Sequence, residues 1–339
     1  MNIFLGQNAQ GKTNLLEGIY LTSLGRSFKN IKDKELIRFL EEYCRIRSGF
    51  ISYGDERTTE IIIRKDGKKG IKADGIKVNK TSQLLDRMFI IIFSPEDLKI
   101  VKEDPEKRRK FIDRELCQIR KGDLSDLKDY RKILKQRNTY LKETVIDSAM
   151  LDVWDLQLAA FGSRIIKKRS DFIEQLNDVS RDIHNKISGN RESLKLQYEP
   201  NVYFPQNTEE SFYELLQEKR EEDIRNRNTG RGPHRDDFSI SADGIDLRKF
   251  GSQGQQRTAA LSLKLSEIKI IEEEKGEKPI LLLDDVLSEL DNERQVYLMN
   301  ALGDSQMFIT TTDLTGPVKE NLPKGKIFKI SGGEVETEI

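Results

Sequence analysis

Cysteine is nearly missing from this chain. Cys44 and Cys117 are the only two in 339 residues, too few for a disulfide framework or a zinc site. A charge excess is missing too, since 58 basic and 58 acidic side chains cancel. That balance removes any general electrostatic pull toward nucleic acid, so a DNA site would have to be a local patch. Long apolar runs are absent: the longest, residues 88–93 and 280–283, fall far short of a bilayer span. No basic segment followed by an apolar stretch opens the chain, so no secretory signal is read. These absences predict a reduced, cytosolic protein without a membrane partner. The length leaves room for one large or two medium domains.

What is present begins at once. Gly6-Gln7-Asn8-Ala9-Gln10-Gly11-Lys12-Thr13 is a complete G-x-x-x-x-G-K-T loop, followed by Asn14. It lies between an apolar strand (Ile3, Phe4, Leu5) and a helical stretch predicted over residues 12–24. That setting matters because the strand delivers the chain into a glycine turn whose N–H groups wrap phosphates at a helix N-terminus. Lys12 can reach the β- and γ-phosphates of a nucleoside triphosphate, and the Thr13 hydroxyl can ligate Mg²⁺. Only four residues, Asn2 to Leu5, separate Met1 from Gly6. Enzymes with this loop usually place strands earlier, so a shortened start is expected, with an adenine-contacting residue ahead of it.

Residues 44–80 concentrate β-formers separated by Gly54-Asp55-Glu56, Asp66-Gly67 and Asp74-Gly75, which predicts an antiparallel meander. Residues 88–93 read as a buried strand ended by Ser94-Pro95. From Asp104 to Lys186 the composition predicts several long helices, without the sustained heptads of a coiled coil. Gly189, Pro200 and Pro205 break the pattern over 187–208, and a charged helix is expected over 209–226. The last third alternates: helix over 252–274, strand over 279–283, helix over 291–301, strand over 306–310. Such alternation predicts a parallel sheet covered on both faces. The expected organisation is one lobe assembled from residues 1–95 and 250–339, with a mainly helical second lobe at 96–249.

The strand Ile280-Leu281-Leu282-Leu283 ends in Asp284-Asp285. An acid there holds the magnesium ion opposite the loop hydroxyl, a role that suits Asp284. Asp285 can orient or deprotonate the attacking water, which makes it, with Lys12, the catalytic pair. Upstream, Ser252-Gln253-Gly254-Gln255 places a hydroxyl and a glycine at a helix start. That is either an N-cap or a second phosphate-binding device.

Together these pieces resemble the ABC-type ATPase set. Gly6–Thr13 matches its Walker A loop, Ser252–Gln255 its signature motif, Asp284-Asp285 its Walker B, and Ser288–Asp291 its D-loop. The resemblance implies an α/β, ABC-type P-loop ATPase head, a mixed sheet plus antiparallel meander with an inserted helical lobe. It also implies two heads sandwiching ATP, each Walker A facing the signature serine of the other. On it, Ser252, Gly254 and Gln255 join residues 6–14 as nucleotide contacts.

The likeness narrows on Gly25-Arg26-Ser27, Phe93–Leu98, Pro105 with Arg108-Arg109 and Phe111-Ile112-Asp113, Gly232–Asp237, Gly251–Thr258 and Thr310–Asp313. This set is similar to the RecF family of recombinational-repair ATPases, which resemble SMC heads without the long coiled coil. The resemblance implies an ATP-dependent homodimer that binds double-stranded DNA at gaps and, with RecO and RecR, helps to load RecA.

Departures carry expectations of their own. Asp285 stands where most ABC enzymes have Glu, so slow hydrolysis is expected. Gln253 replaces the first signature glycine, no Gln occupies residues 94–97, and no histidine follows residues 306–310. The γ-phosphate sensor would then be Thr311, Thr312 or Asp313. Candidate DNA patches are residues 99–110, with six basic and three acidic side chains, and Arg164, Lys167, Lys168 and Arg169. Arg26, Arg235 and Asp236 could serve lobe packing, a dimer contact or DNA. Three other readings are an SMC-type DNA tether, which needs far more heptads, a transporter ATPase subunit, which the missing histidine argues against, and a small-molecule kinase, which would need no signature serine.

Overall fold

The computed structural model describes residues 1–29, 31–120, 122–202, 207–313 and 325–338. In chain order, β1 (Asn2–Leu5) leads into α1 (Lys12–Leu24), followed by β2 (Tyr43–Ser52), β3 (Asp55–Arg64), β4 (Lys69–Ala73), β5 (Ile76–Lys77) and β6 (Ile90–Phe93). A helical run comes next: α2 (Leu98–Lys102), α3 (Pro105–Ile119), α4 (Asp123–Tyr140) and α5 (Ser148–Ile187). Then come β7 (Leu194–Glu199), α6 (Thr208–Glu218), α7 (Arg220–Asn226), β8 (Asp237–Ala242), β9 (Ile245–Asp246) and α8 (Leu247–Phe250). The order continues through α9 (Gln253–Lys275), β10 (Ile280–Asp284), α10 (Asn292–Leu302), β11 (Met307–Thr311), β12 (Lys326–Ser331) and β13 (Glu334–Glu338). The chain divides into two compact units, residues 1–97 with 267–339, and residues 98–266.

The first unit holds a six-stranded sheet ordered β13-β12-β1-β11-β10-β6, parallel except for the β12–β13 hairpin. β6 is buried along its whole length, as a parallel strand covered on both faces must be. The expected meander is there as a second sheet, β2-β3-β4-β5. Its β4–β5 turn puts Asp74 (φ 50°) and Gly75 (φ 80°) in the left-handed region, as a tight hairpin requires. One face of that sheet (Ile61, Ile63, Ile71) packs on Leu21 of α1, together with Leu84. This fixes the helix that carries the glycine loop.

The second unit centres on α5, whose 40 residues bury Leu151, Leu158, Ile165, Phe172 and Leu176 at helical spacing. Gly162 lets Phe212 of α6 lie against the α5 backbone, since a Cβ there would meet the ring at 2.6 Å. The unit is also sewn by buried ion pairs. Arg137 is fully buried and donates to Asp155 (2.7 Å), Asp223 (2.7 Å) and Thr229 (2.8 Å).

Several expectations change here. The second lobe, expected to be mainly helical, also carries a three-stranded sheet of β7, β8 and β9. The expected helix over 209–226 is two helices, α6 and α7, meeting at Lys219. The break over 187–208 contains β7, while Pro205 lies outside the described residues. Finally, the return to the first unit falls inside α9, between Ser266 and Glu267, rather than near residue 250. The first half of α9 is held in the second unit: Gln255 Nε2 donates to Glu192 Oε1 (3.0 Å), Gln256 Nε2 to the Leu247 carbonyl (2.7 Å), and Ser262 Oγ lies 3.2 Å from His184 Nδ1.

Candidate functional site

The loop between β1 and α1 sits at the carboxyl end of the parallel strands, where such sheets receive ligands. Its shape is imposed from behind by the β12–β13 hairpin. The Gly6 α-carbon lies so close to the Ile330 carbonyl oxygen that any side chain would collide with it. Gly11 adopts φ 92°, a left-handed conformation that favours glycine, and a Cβ there would sit a tight 3.1 Å from Gly333 Cα. Gln10 ties the two together: its Oε1 accepts the Gly332 N–H (2.7 Å) and its carbonyl accepts the Gly333 N–H (2.9 Å). Gln7, Asn8 and Ala9 are exposed, leaving their backbone open to phosphate oxygens. Lys12 is buried and donates to the carbonyls of Gly6 (2.6 Å) and Gln7 (3.0 Å). Asn14 Oδ1 accepts from Lys29 Nζ (3.2 Å), and Lys29 is paired with the buried Glu17 (2.9 Å).

The acids come to the same place. Thr13 Oγ1 donates to Asp284 Oδ1 at 2.8 Å. A hydroxyl and a carboxylate so joined fit a hard cation such as Mg²⁺, which takes one or two protein oxygens and fills its octahedron with water and phosphate. Asp285 takes a left-handed conformation (φ 55°), with its N–H donating to Thr310 Oγ1 (3.0 Å) and its carbonyl accepting from Ser288 Oγ (2.7 Å). Burial pushes the Asp285 carboxyl up from its ordinary value; Lys12 opposes that, while Asp284 and Glu289 add to it. A carboxylate of raised basicity beside the phosphate loop suits a proton acceptor. Thr311 Oγ1 donates to the Asp313 carbonyl (2.7 Å).

Sequence reasoning missed Thr310 and the hairpin glycines. Thr310 stood only as the first residue of the Thr310–Asp313 likeness, with no role attached; the register of β10 and β11, which sets it opposite Asp284, reveals one. The hairpin was legible only as Gly332-Gly333, a turn signal at the chain's far end.

Ser252, Gly254 and Gln255 lie in the second unit. Ser252 is exposed at the start of α9, where its Oγ accepts the Gln255 N–H (3.2 Å) and Gln255 Oε1 accepts the Ser252 N–H (2.8 Å). This is a capping box. Gln255 is thus committed to the cap and to Glu192, while the Ser252 hydroxyl keeps its own hydrogen to donate.

The expected DNA patches lose several members. Arg108 is buried on Asp237 (2.6 Å), and Arg109 donates to the Asp236 carbonyl (2.6 Å). Arg169 is buried between Asp113 (2.8 Å) and Asp236 (3.0 Å). Arg164 and Lys168 share Asp126, and Lys168 also reaches Asp123 (2.6 Å). Asp236 is itself buried, accepting from Arg169, Tyr198 and the Asn201 N–H, so its place is packing within the second unit. Arg26 and Arg235 are exposed.

A glycine loop on a central parallel strand, a hydroxyl–carboxylate pair at its mouth and an antiparallel meander beside it define an ABC-type P-loop ATPase head. The head of the Smc protein of Pyrococcus furiosus shares this fold, with a TM-score of 0.57 at 15% identity over 100% of this chain and 89% of that one. No protein-family model matches the chain. Curated relatives do: the DNA replication and repair protein RecF of Agathobacter rectalis is 47% identical over 339 residues, spanning 99% of this chain and 92% of the relative. That of Clostridium perfringens is 43% identical over 99% of this chain and 93% of the relative. A solved structure of the recombination mediator protein RecF in the RecFOR pathway, as RecF-ATP, superposes with a TM-score of 0.92 at 40% identity, covering 100% of this chain and 91% of that one. The chain belongs to the RecF family of DNA replication and repair proteins.

Proposed function

We propose that this protein is an ATP-dependent, dimerising recombination mediator that binds duplex DNA at gapped sites and hydrolyses ATP slowly. The observation that carries the reading is the 2.8 Å bond from Thr13 to Asp284, which joins the phosphate loop to the strand-end acid. Lys12 neutralises the β- and γ-phosphates from within the loop, and residues 6–11 with Asn14 line them. Thr13 and Asp284 would hold a magnesium ion, which supplies charge neutralisation of the phosphates when bound. Asp285 accepts the proton of the attacking water. Its side chain is one methylene shorter than glutamate and reaches less far from the backbone, so turnover is slow and acts as a timer.

Ser252, with Gly254 beside it, donates to the γ-phosphate held by a second copy, so the triphosphate joins two heads and its hydrolysis releases them. Kinship with RecF proteins supports this account, as does the RecFOR pathway in which the RecF-ATP relative is placed. By the same kinship the partners are RecO and RecR, and the outcome is RecA loading. Among the described residues no helix is long and apolar enough to cross a membrane.

Fluorescence anisotropy with a labelled gapped duplex tests the reading. Binding should appear with ATP·Mg²⁺, weaken with ADP, and weaken again in Lys12→Ala. Equal binding without nucleotide would sink it.

A further inference from the structure

β11 lies between the strand that feeds the glycine loop and the strand that ends in Asp284-Asp285. Its Thr310 is buried, directly opposite Asp284 in the parallel register. The hydroxyl does two things at once. It donates to Asp284 Oδ1 at 2.9 Å, the oxygen that also accepts from Thr13, and it accepts the Asp285 N–H at 3.0 Å. The Leu283 carbonyl lies farther off, at 3.4 Å. Asp285 is held in the left-handed region, where a non-glycine residue needs support. That support comes from both sides, Thr310 on its N–H and Ser288 on its carbonyl.

We propose that Thr310 is the positioning residue of this site: one hydroxyl sets the orientation of the cation-holding Asp284 and the backbone conformation that aims Asp285. This deepens the reading of the loop as an ATP site and rests on it. An oxygen donor whose other contacts are fixed loses less freedom when it takes a cation, which is how outer partners of a metal site act. A valine has the shape of threonine without the bonds, leaving the Asp285 N–H with no acceptor there and Asp284 with one hydroxyl instead of two.

The test compares wild type with Thr310→Val, Thr310→Ala and Thr310→Ser. It reads Mn²⁺ affinity by electron paramagnetic resonance in the presence of ATP, ATP affinity without metal, kcat and KM, and the melting of the ligand-free protein. Both hydroxyl-free variants should bind ATP without metal as wild type does, yet lose about 10- to 100-fold in Mn²⁺ affinity and kcat. KM for ATP should change far less than kcat, and Thr310→Ser should recover both losses. Wild-type Mn²⁺ affinity in Thr310→Val or Thr310→Ala overturns the proposal. A Thr310→Ser variant that falls about 10- to 100-fold below wild type in Mn²⁺ affinity also overturns it, and that comparison stands even if valine and alanine prevent folding. If wild type itself binds no ATP, the site reading fails instead; if it binds and turns over ATP while Thr310→Ala matches it, only the role of Thr310 fails.

Discussion

The Gln10 side chain accepts the Gly332 N–H at 2.7 Å, so the loop proposed to hold phosphate is fastened to a hairpin at the other end of the chain. Gln10→Ala keeps the loop sequence otherwise intact but removes that fastening. ATP affinity measured by titration calorimetry should fall several-fold, with the larger loss in the enthalpy of binding. Gly6→Ala is harsher, because its Cβ would drive the loop off Ile330. Overpacking of this kind costs about 1–3 kcal/mol, read as a lower melting temperature.

Arg169 and Lys168 are neighbours in sequence with opposite prospects. Arg169 is buried, donating to Asp113, Asp236 and the Pro233 carbonyl (2.6 Å). Arg169→Met should cost about 3–5 kcal/mol in urea unfolding, because two acids lose their buried partner. Lys168 is partly exposed, and Lys168→Ala should cost about 0–1 kcal/mol. Since Asp123 and Asp126 already occupy Lys168, the salt dependence of DNA binding should not change in Lys168→Ala. A drop of about 0.9 in the slope of log affinity against log salt would show a phosphate contact instead.

Acid should loosen the second unit through His234. Burial, helped by Arg235, Arg109 and Arg169 and opposed by the Thr229 carbonyl, lowers its pKa from 6.5 to about 4. The ring lies 2.8 Å from the Tyr130 hydroxyl and 3.0 Å from the Thr229 carbonyl. The folded protein therefore binds fewer protons here than the unfolded chain. The stability is fully present above pH 6.5 and is lost as pH falls from there toward about 4, amounting to about 3 kcal/mol. Urea midpoints across that window should fall less steeply in His234→Gln than in wild type.

Much of the fold and of the candidate site is legible in the order of residues alone. The glycine loop, the helix over 12–24, the meander, the strand ending in Asp284 and the alternation after it rest on local signals, and the structure repeats them. What escaped depends on distant partners. β8 buries Phe238, Ile240 and Ala242 in strict alternation, but six residues beside a charged loop are a short signal. Arg108, Arg137 and Arg169 look like solvated charge in the sequence, because their acids Asp237, Asp155 and Asp113 come from other elements. The role of Thr310 exists only in the register of two parallel strands.

ATP is proposed to join two copies of this chain through Ser252, and sedimentation velocity of wild type and Ser252→Arg, with and without ATP·Mg²⁺, tests that proposal. Losing the cap costs about 1 kcal/mol and leaves the fold in place, which a melt of the variant checks. Wild type should be a monomer that becomes a dimer only with ATP·Mg²⁺, and Ser252→Arg should bind ATP equally well yet stay monomeric. A variant that still dimerises with ATP, or a wild type that binds ATP and remains monomeric, would contradict it.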